Sequence, residues 1–116
     1  MNVRNPVVTL CKTNQKEKLG ICISSDQHLH HLIGIVLAAQ RAGKEVITFF
    51  THKGVLLTQE PEFRKLAGKA KHALCYAGWK ANGLEGKSVP GMNETGFATQ
   101  FRHAEIMEEV DRYLVL

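Results

Sequence analysis

Two continuous apolar runs with one long helical segment between them constrain this chain more than any other feature. The first run is "LGICIS" (19–24) and the second is "EVITFF" (45–50). Both are rich in residues that suit strands, and neither alternates with polar residues, so each strand is expected to be covered on both faces. Between them lies "QHLHHLIGIVLAAQRAG" (27–43), apolar round most of its circumference from Leu32 and closed by Gly43. Ser24, Ser25 and Asp26 precede it as candidate caps. A strand, a helix and a strand over about 30 residues read as a right-handed βαβ unit. Such a unit belongs to a parallel sheet with helices packed on it.

The rest of the chain extends that plan. Gly54 sits in a loop before "VLL", and "EPEFRKLAG" (60–68) reads as a short helix with Pro61 in its first turn and Gly68 at its end. "HALCYA" (72–77) is a third strand candidate. "NGLEGKSVPGMNETG" (82–96) is turn-rich, with four of the ten glycines and room for a very short strand at most. "FATQFRHAEIMEEVDRYL" (97–114) reads as a helix whose apolar face is Phe97, Phe101, Ala104, Met107 and Val110. "RYLVL" (112–116) reads as a last strand. The expected fold is a three-layer α/β/α domain over residues 18–116, with a mostly parallel sheet of four or five strands. Residues 1–17 form an N-terminal segment in which "VVTL" (7–10) is a candidate added strand. In such folds ligands gather beyond the carboxyl ends of the strands. Ser24–Asp26, Phe50–Gly54 and Cys75–Trp79 all map to that end.

Composition narrows the function classes. At 116 residues, with 44% hydrophobic and 22% charged side chains, the chain has the means to bury a core without staples. The longest strongly apolar stretch, "LIGIVLAA" (32–39), is far shorter than the roughly 20 residues of a membrane-spanning helix. "MNVRNPVVTL" lacks a signal-peptide core, so the expected location is cytoplasmic and no membrane partner is expected. Three cysteines at 11, 22 and 75, with no CxxC pair, suit free thiols in a reducing compartment. The net charge of +4 is spread over scattered lysines rather than gathered on one element, and no stacking or base-reading motif accompanies it. Nucleic acid is therefore not an expected partner. No GxGxxG or Walker loop implies a nucleotide, and no cofactor is expected. His28, His30 and His31 in "HLHH" lack the spacing and carboxylate partner of a metal site, so no metal is expected.

The chemistry then rests on Cys75. Cys22, between Ile21 and Ile23, reads as a buried structural thiol, and Cys11 has no neighbour that fixes a role. Cys75 stands where its strand ends and "AGWKANG" begins a short helix. A helix N-terminus and a nearby cation both lower a thiol pKa, with Lys80 or His72 as the candidate cation. His52 in "FFTHKGV" follows a strand at the same end and is a candidate to orient a ligand or tune Cys75. Tyr76 and Trp79 are candidates to line a pocket or anchor a subunit interface. The residues alone leave two readings of Cys75 open: a reactive thiol, or a quiet one in the core.

Taken together, "LGICISS", "GIVLAAQRAGKEVITFFTHKGV", "HALCYAGWKANGL" and "HAEIMEEVDRYLVL" resemble the DsrE/DsrF-like family of small sulfur-relay proteins. TusD-type subunits, and members labelled as peroxiredoxin-family, belong to it. The resemblance covers residues 18–116. It implies a flavodoxin-like core that assembles into trimers or hexamers. It also implies one persulfide-carrying cysteine after the third main strand, a role that maps onto Cys75, with donor and acceptor proteins as partners. Backbone N–H groups after Cys75, Lys80 and His52 would steady the charged sulfur. The sequence departs from a strong match at "EGKSVPGMNETG", and no second cysteine lies near Cys75. Two other readings stand beside the relay: an oligomeric ligand-binding or structural protein with an inert core cysteine, and a thiol-dependent peroxidase, which needs a resolving thiol.

Overall fold

A computed structural model describes residues 16–116. The "VVTL" segment and Cys11 lie outside the described residues. The chain runs β1 (Lys18–Ile23), α1 (Leu29–Arg41), β2 (Glu45–Phe50), two 3₁₀ helices (His52–Gln59 and Pro61–Leu66), then β3 (Lys71–Cys75) and α2 (Tyr76–Ala81). A 3₁₀ turn (Glu94–Gly96), β4 (Phe97–Ala98), α3 (Gln100–Glu109) and β5 (Arg112–Val115) complete it. The five strands form one sheet in the order β4-β3-β2-β1-β5, and every pairing is parallel. The fold is a three-layer α/β/α sandwich.

Strand order and handedness decide what lies on each face. From β1 to β4 the strands advance in one direction, so right-handed crossovers put α1, the 3₁₀ segments and α2 on one face. The step from β4 to β5 returns across the sheet and puts α3 on the other. Side chains sort accordingly. Ile21, Ile23, Phe50 and Leu74 join Leu32, Val36, Phe63, Leu66 and Trp79 in the larger core. Ile47, Phe49, Ala73 and Cys75 form a smaller one with Ile106 of α3. Each large side chain fully buried here contributes about 1.5–3 kcal/mol.

The βαβ unit matches the sequence reading, with corrections at its helix start. α1 begins at Leu29 after His28, and no side chain caps it. Ser24 is engaged elsewhere: its N–H donates to the Leu116 carbonyl at 2.9 Å, and its hydroxyl turns to the same oxygen at 3.4 Å. Ser25 Oγ instead accepts from the Gln27 N–H at 3.1 Å, closing a local turn. The "VLL" segment belongs to the first 3₁₀ helix. β3 stops at Cys75, two residues before the end of "HALCYA", because Tyr76 starts α2 directly.

The last helix differs most from the periodicity reading. Phe97 and Ala98 are not helical: they pair with Leu74 and Cys75. Thr99 then caps α3, its Oγ1 accepting from the Phe101 N–H at 3.2 Å. At the far end the Asp111 N–H donates to the Lys18 carbonyl at 2.8 Å, which commits the chain to β5. The buried side of α3 is Ile106 with Val110, whereas Phe101 is 72% and Met107 51% exposed. A face read at strict threes drifts round a real helix, and the sheet selects the line that meets Gly20.

Glycine matters most where backbones cross. A Cβ at Gly54 would stand 2.0 Å from the Ile23 carbonyl oxygen, where the first 3₁₀ helix passes over the end of β1. Gly34, on the outer side of α1, has nothing within 4 Å of the same atom. Gly54→Ala is therefore expected to destabilise by about 3 kcal/mol or more. Gly34→Ala is expected to stabilise by about 0.5–1 kcal/mol through helix propensity. Urea denaturation of both variants checks the pair, and equal effects would contradict the packing described.

Candidate functional site

Three carboxyl-end segments meet at Cys75. Cys75 is the last residue of β3 and the cap position of α2, with extended backbone (φ −78°, ψ 116°). It also pairs with Ala98, two residues before α3 begins. The starts of two helices thus lie beside one cysteine. The thiol is on the α3 side of the sheet, packed with Ile47, Phe49, Ala73 and Ile106, and the residue is 7% exposed.

His52 closes the neighbouring edge. It is the described non-glycine residue with left-handed backbone (φ 49°), a conformation that ordinary side chains adopt at a cost. Its carbonyl accepts from Asn82 Nδ2 at 3.0 Å, and the same amide donates to the Gly78 carbonyl at 2.8 Å. Asn82 therefore ties the end of α2 to the turn after β2. Gly78 makes the approach feasible: a Cβ there would lie 3.2 Å from the His52 nitrogen and 3.9 Å from Cys75 Cβ. The His52 side chain is exposed. Asn82 and Gly78 carried no motif; the only signal was the helix-ending "ANG".

The other candidate residues are distributed differently. Lys80 lies on the outer surface, its Nζ 5.2 Å from the centre of the Tyr76 ring. Tyr76 donates to Glu85 Oε2 at 3.3 Å, and partial desolvation with that carboxylate raises its phenol pKa. Trp79 is buried in the larger core, edge-on to Phe97 at 5.1 Å. His72 faces the opposite side of the sheet from Cys75, so it is not the cation beside the thiol. Its Nε2–H donates to the Leu66 carbonyl at 3.1 Å, and its Nδ1 accepts from the Thr48 hydroxyl at 2.6 Å.

Periodicity gave no sign of a polar chain beneath α3. Gln100 Nε2 donates to Thr51 Oγ1 at 3.0 Å, and its Oε1 accepts from His103 Nδ1 at 3.3 Å. That leaves His103 Nε2 to accept from the Tyr113 hydroxyl. The His103 ring also stacks on Phe49 at 5.0 Å. Tyr113 stands against Cys22, and burial together with that contact pushes its phenol up to about 12. Burial likewise raises the Cys22 thiol, against a smaller lowering by the Tyr113 hydroxyl. Cys22 is thus a buried, protonated thiol. It lies two strands from Cys75, across β2, with Phe49 opposite it in register. Two strand spacings put the pair about 9–10 Å apart or more, beyond disulfide reach.

Among the described residues no group of three or more His, Cys, Asp or Glu side chains converges as a metal site. His28 and His31 meet edge-on at 5.8 Å, while His30 reaches Glu62 at 3.7 Å. No described helix is long and apolar enough to cross a membrane. Compared with protein-family models, curated proteins and solved structures, the chain matches none.

His72 supplies a test of the geometry through pH. Burial lowers its pKa from the ordinary value, with the Leu66 bond opposing by less. The unfolded chain thus binds this proton more readily than the folded one. Stability from this residue is full above about pH 6.5 and declines as pH falls from there toward the depressed folded value. His72→Gln is expected to lose part of that acid sensitivity. Urea midpoints from pH 7.5 to 5 for both proteins check this, and parallel curves would contradict a neutral His72.

Proposed function

We propose that the protein carries a persulfide on Cys75 and passes the sulfur to a partner thiol. The observation that supports this reading is the meeting of two helix starts, Tyr76 and Gln100, at a cysteine on the carboxyl end of a parallel strand. The first turns of helices hold N–H groups without intrahelical partners, and these suit a charged sulfur. Cys75 makes no capping bond to α2 as it stands, and Thr99 holds the Phe101 N–H, so those that remain would serve. The resemblance of "HALCYAGWKANGL" to the sulfur-relay family supports the same assignment.

The chemistry conserves electrons. The Cys75 thiolate attacks the terminal sulfur of a donor persulfide, R–S–SH. The donor S–S bond breaks, a new S–S bond forms on Cys75, and R–S⁻ departs. An acceptor thiolate then attacks the terminal sulfur of Cys75–S–SH and regenerates the Cys75 thiolate. Exchange of this kind needs no net oxidant and no second cysteine in the carrier. A peroxidase would need a resolving thiol, and among the described residues Cys22 is too far from Cys75 to serve. His52 has its backbone beside Gly78 and its side chain exposed, whereas Lys80 lies over Tyr76 rather than the sulfur.

A second reading has its own observation. The slight exposure of Cys75 among Phe49 and Ile106 suits an inert core thiol in an oligomeric protein. Phe101, Met107, Leu114 and Val115 are exposed on α3 and the edge strand β5, and they suit a homo-oligomer under either reading. The resemblance implies trimers or hexamers.

Intact mass after exposure to a persulfide donor separates the readings. The wild type is expected to gain one sulfur, removable by a thiol reductant, and Cys75→Ser to gain none at that position. Cys22→Ser is expected to label like the wild type. Equal labelling of wild type and Cys75→Ser, or none in a wild type given a competent donor, would sink the carrier role.

A further inference from the structure

On the α3 side of the sheet, a half-open cleft of about 400 Å³ runs beside the exposed end of β3. Its size falls within the range of small-molecule sites, roughly 300–1,000 Å³. The floor is apolar, made by Ile47 and Ala73, and Met92 adds an apolar edge. Arg102 of α3 stands on one side, and residues 91–93 with Thr95 and Gly96 form the other wall. Lys71 closes the end. No carboxylate is among the described lining residues.

Arg102 has capacity left for a ligand. It lies within 4 Å of two carboxylates, Glu105 at 3.6 Å and Glu109 at 3.5 Å, and both approaches use Nη1. A guanidinium presents five N–H donors in a planar fork, so Nη2 and Nε are left for another acceptor. Lys71 is paired with Glu45 at 3.0 Å, which offsets most of its charge, so the directed contact to an anion falls to Arg102. The other wall is fixed in place. Asn93 Oδ1 accepts from the Thr95 N–H at 3.1 Å, and Gly96 packs so closely that a Cβ would meet Met92 at 2.4 Å and the His72 carbonyl at 3.0 Å. A larger residue at 96 would push Met92 out of place, so glycine preserves the cleft's shape.

We propose that this cleft binds a small organic anion, its carboxylate on Arg102 and its short apolar body on Ile47, Ala73 and Met92. The carboxylate matches the guanidinium fork, and the apolar floor gives the body a surface to leave water. The site does not require Cys75 to react.

Pentanoate is a suitable probe, with its neutral isostere pentanamide and with inorganic phosphate as comparisons. Amide chemical-shift titration of the full chain is expected to show saturable shifts at Lys71–Ala73 and 91–96 with pentanoate. Pentanamide and the tail-free phosphate are each expected to bind about tenfold more weakly or worse. Arg102→Gln is expected to weaken pentanoate by about tenfold, while Cys75→Ser binds it like the wild type. Absence of saturable shifts at these amides would overturn the assignment. So would equal affinity for pentanamide or phosphate, or unchanged binding in Arg102→Gln. Because Cys75→Ser keeps the cleft, failure of the persulfide reading and failure of this one are separate results.

Discussion

A parallel sheet that advances from β1 to β4 in one direction places its crossovers on one face. The other face is left to the return connection. Here that connection is α3, a helix of ten residues, and its grip on the sheet passes through Gly20. A Cβ on Gly20 would stand 3.0 Å from the Val110 methyls and 3.2 Å from Ile106. Their contact with bare backbone is what lets α3 lie close enough to exclude water. Around this narrow apolar line the rest of the interface is polar: His103 on Phe49, Gln100 on Thr51, Tyr113 beside Cys22. Dispersion holds the helix close, and the hydrogen bonds fix its rotation, since turning it would break the part-buried bonds from Gln100 to Thr51 and between His103 and Tyr113.

The asymmetry of the two layers explains where chemistry has room. The larger core is filled by aromatic and aliphatic side chains from α1, the 3₁₀ segments and α2, and it includes Trp79. Beneath α3 the core is small, so β3 is only partly covered. Cys75 lies at one end of that strand, and the Arg102 cleft lies beside the other. Both owe their position to one ten-residue helix meeting a five-stranded sheet.

The β-rich runs, the helix after "SSD" and the end of β3 near Cys75 were legible because continuous apolar patterns are set by burial on two sides. What failed depended on contacts between distant residues. Phe97 looked like the first residue of a helical stripe, yet its backbone is claimed by Leu74. Val110 was read correctly, but Phe101 and Met107 looked buried because they recur at threes, and Gly20 receives Ile106 in their place. Ser24 looked like a cap and instead lies just past β1, where its N–H is taken by Leu116 arriving from the far end of the chain. At the site, Cys75 and His52 were legible as strand-end residues. Asn82 and Gly78, which join them, were not, since their role exists only where two turns touch. Trp79 shows the converse: its position in sequence suggested a pocket wall, and its bulk was taken by the core.

The slight exposure of Cys75 makes access, more than placement, the controlling variable for any chemistry there. Two elements stand beside the thiol. α2 is anchored on one side by Trp79 in the core and on the other by the Asn82 bonds to His52 and Gly78. The start of α3 is held by the Thr99 cap and the bond from Gln100 to Thr51, while Phe101 next to it points into solvent. Opening the α2 side would uncover a fully buried indole. Opening the α3 side would exchange one exposed and one part-buried hydrogen bond for water, a smaller loss. A reagent that reaches Cys75 therefore has its lower-energy route past the first turn of α3.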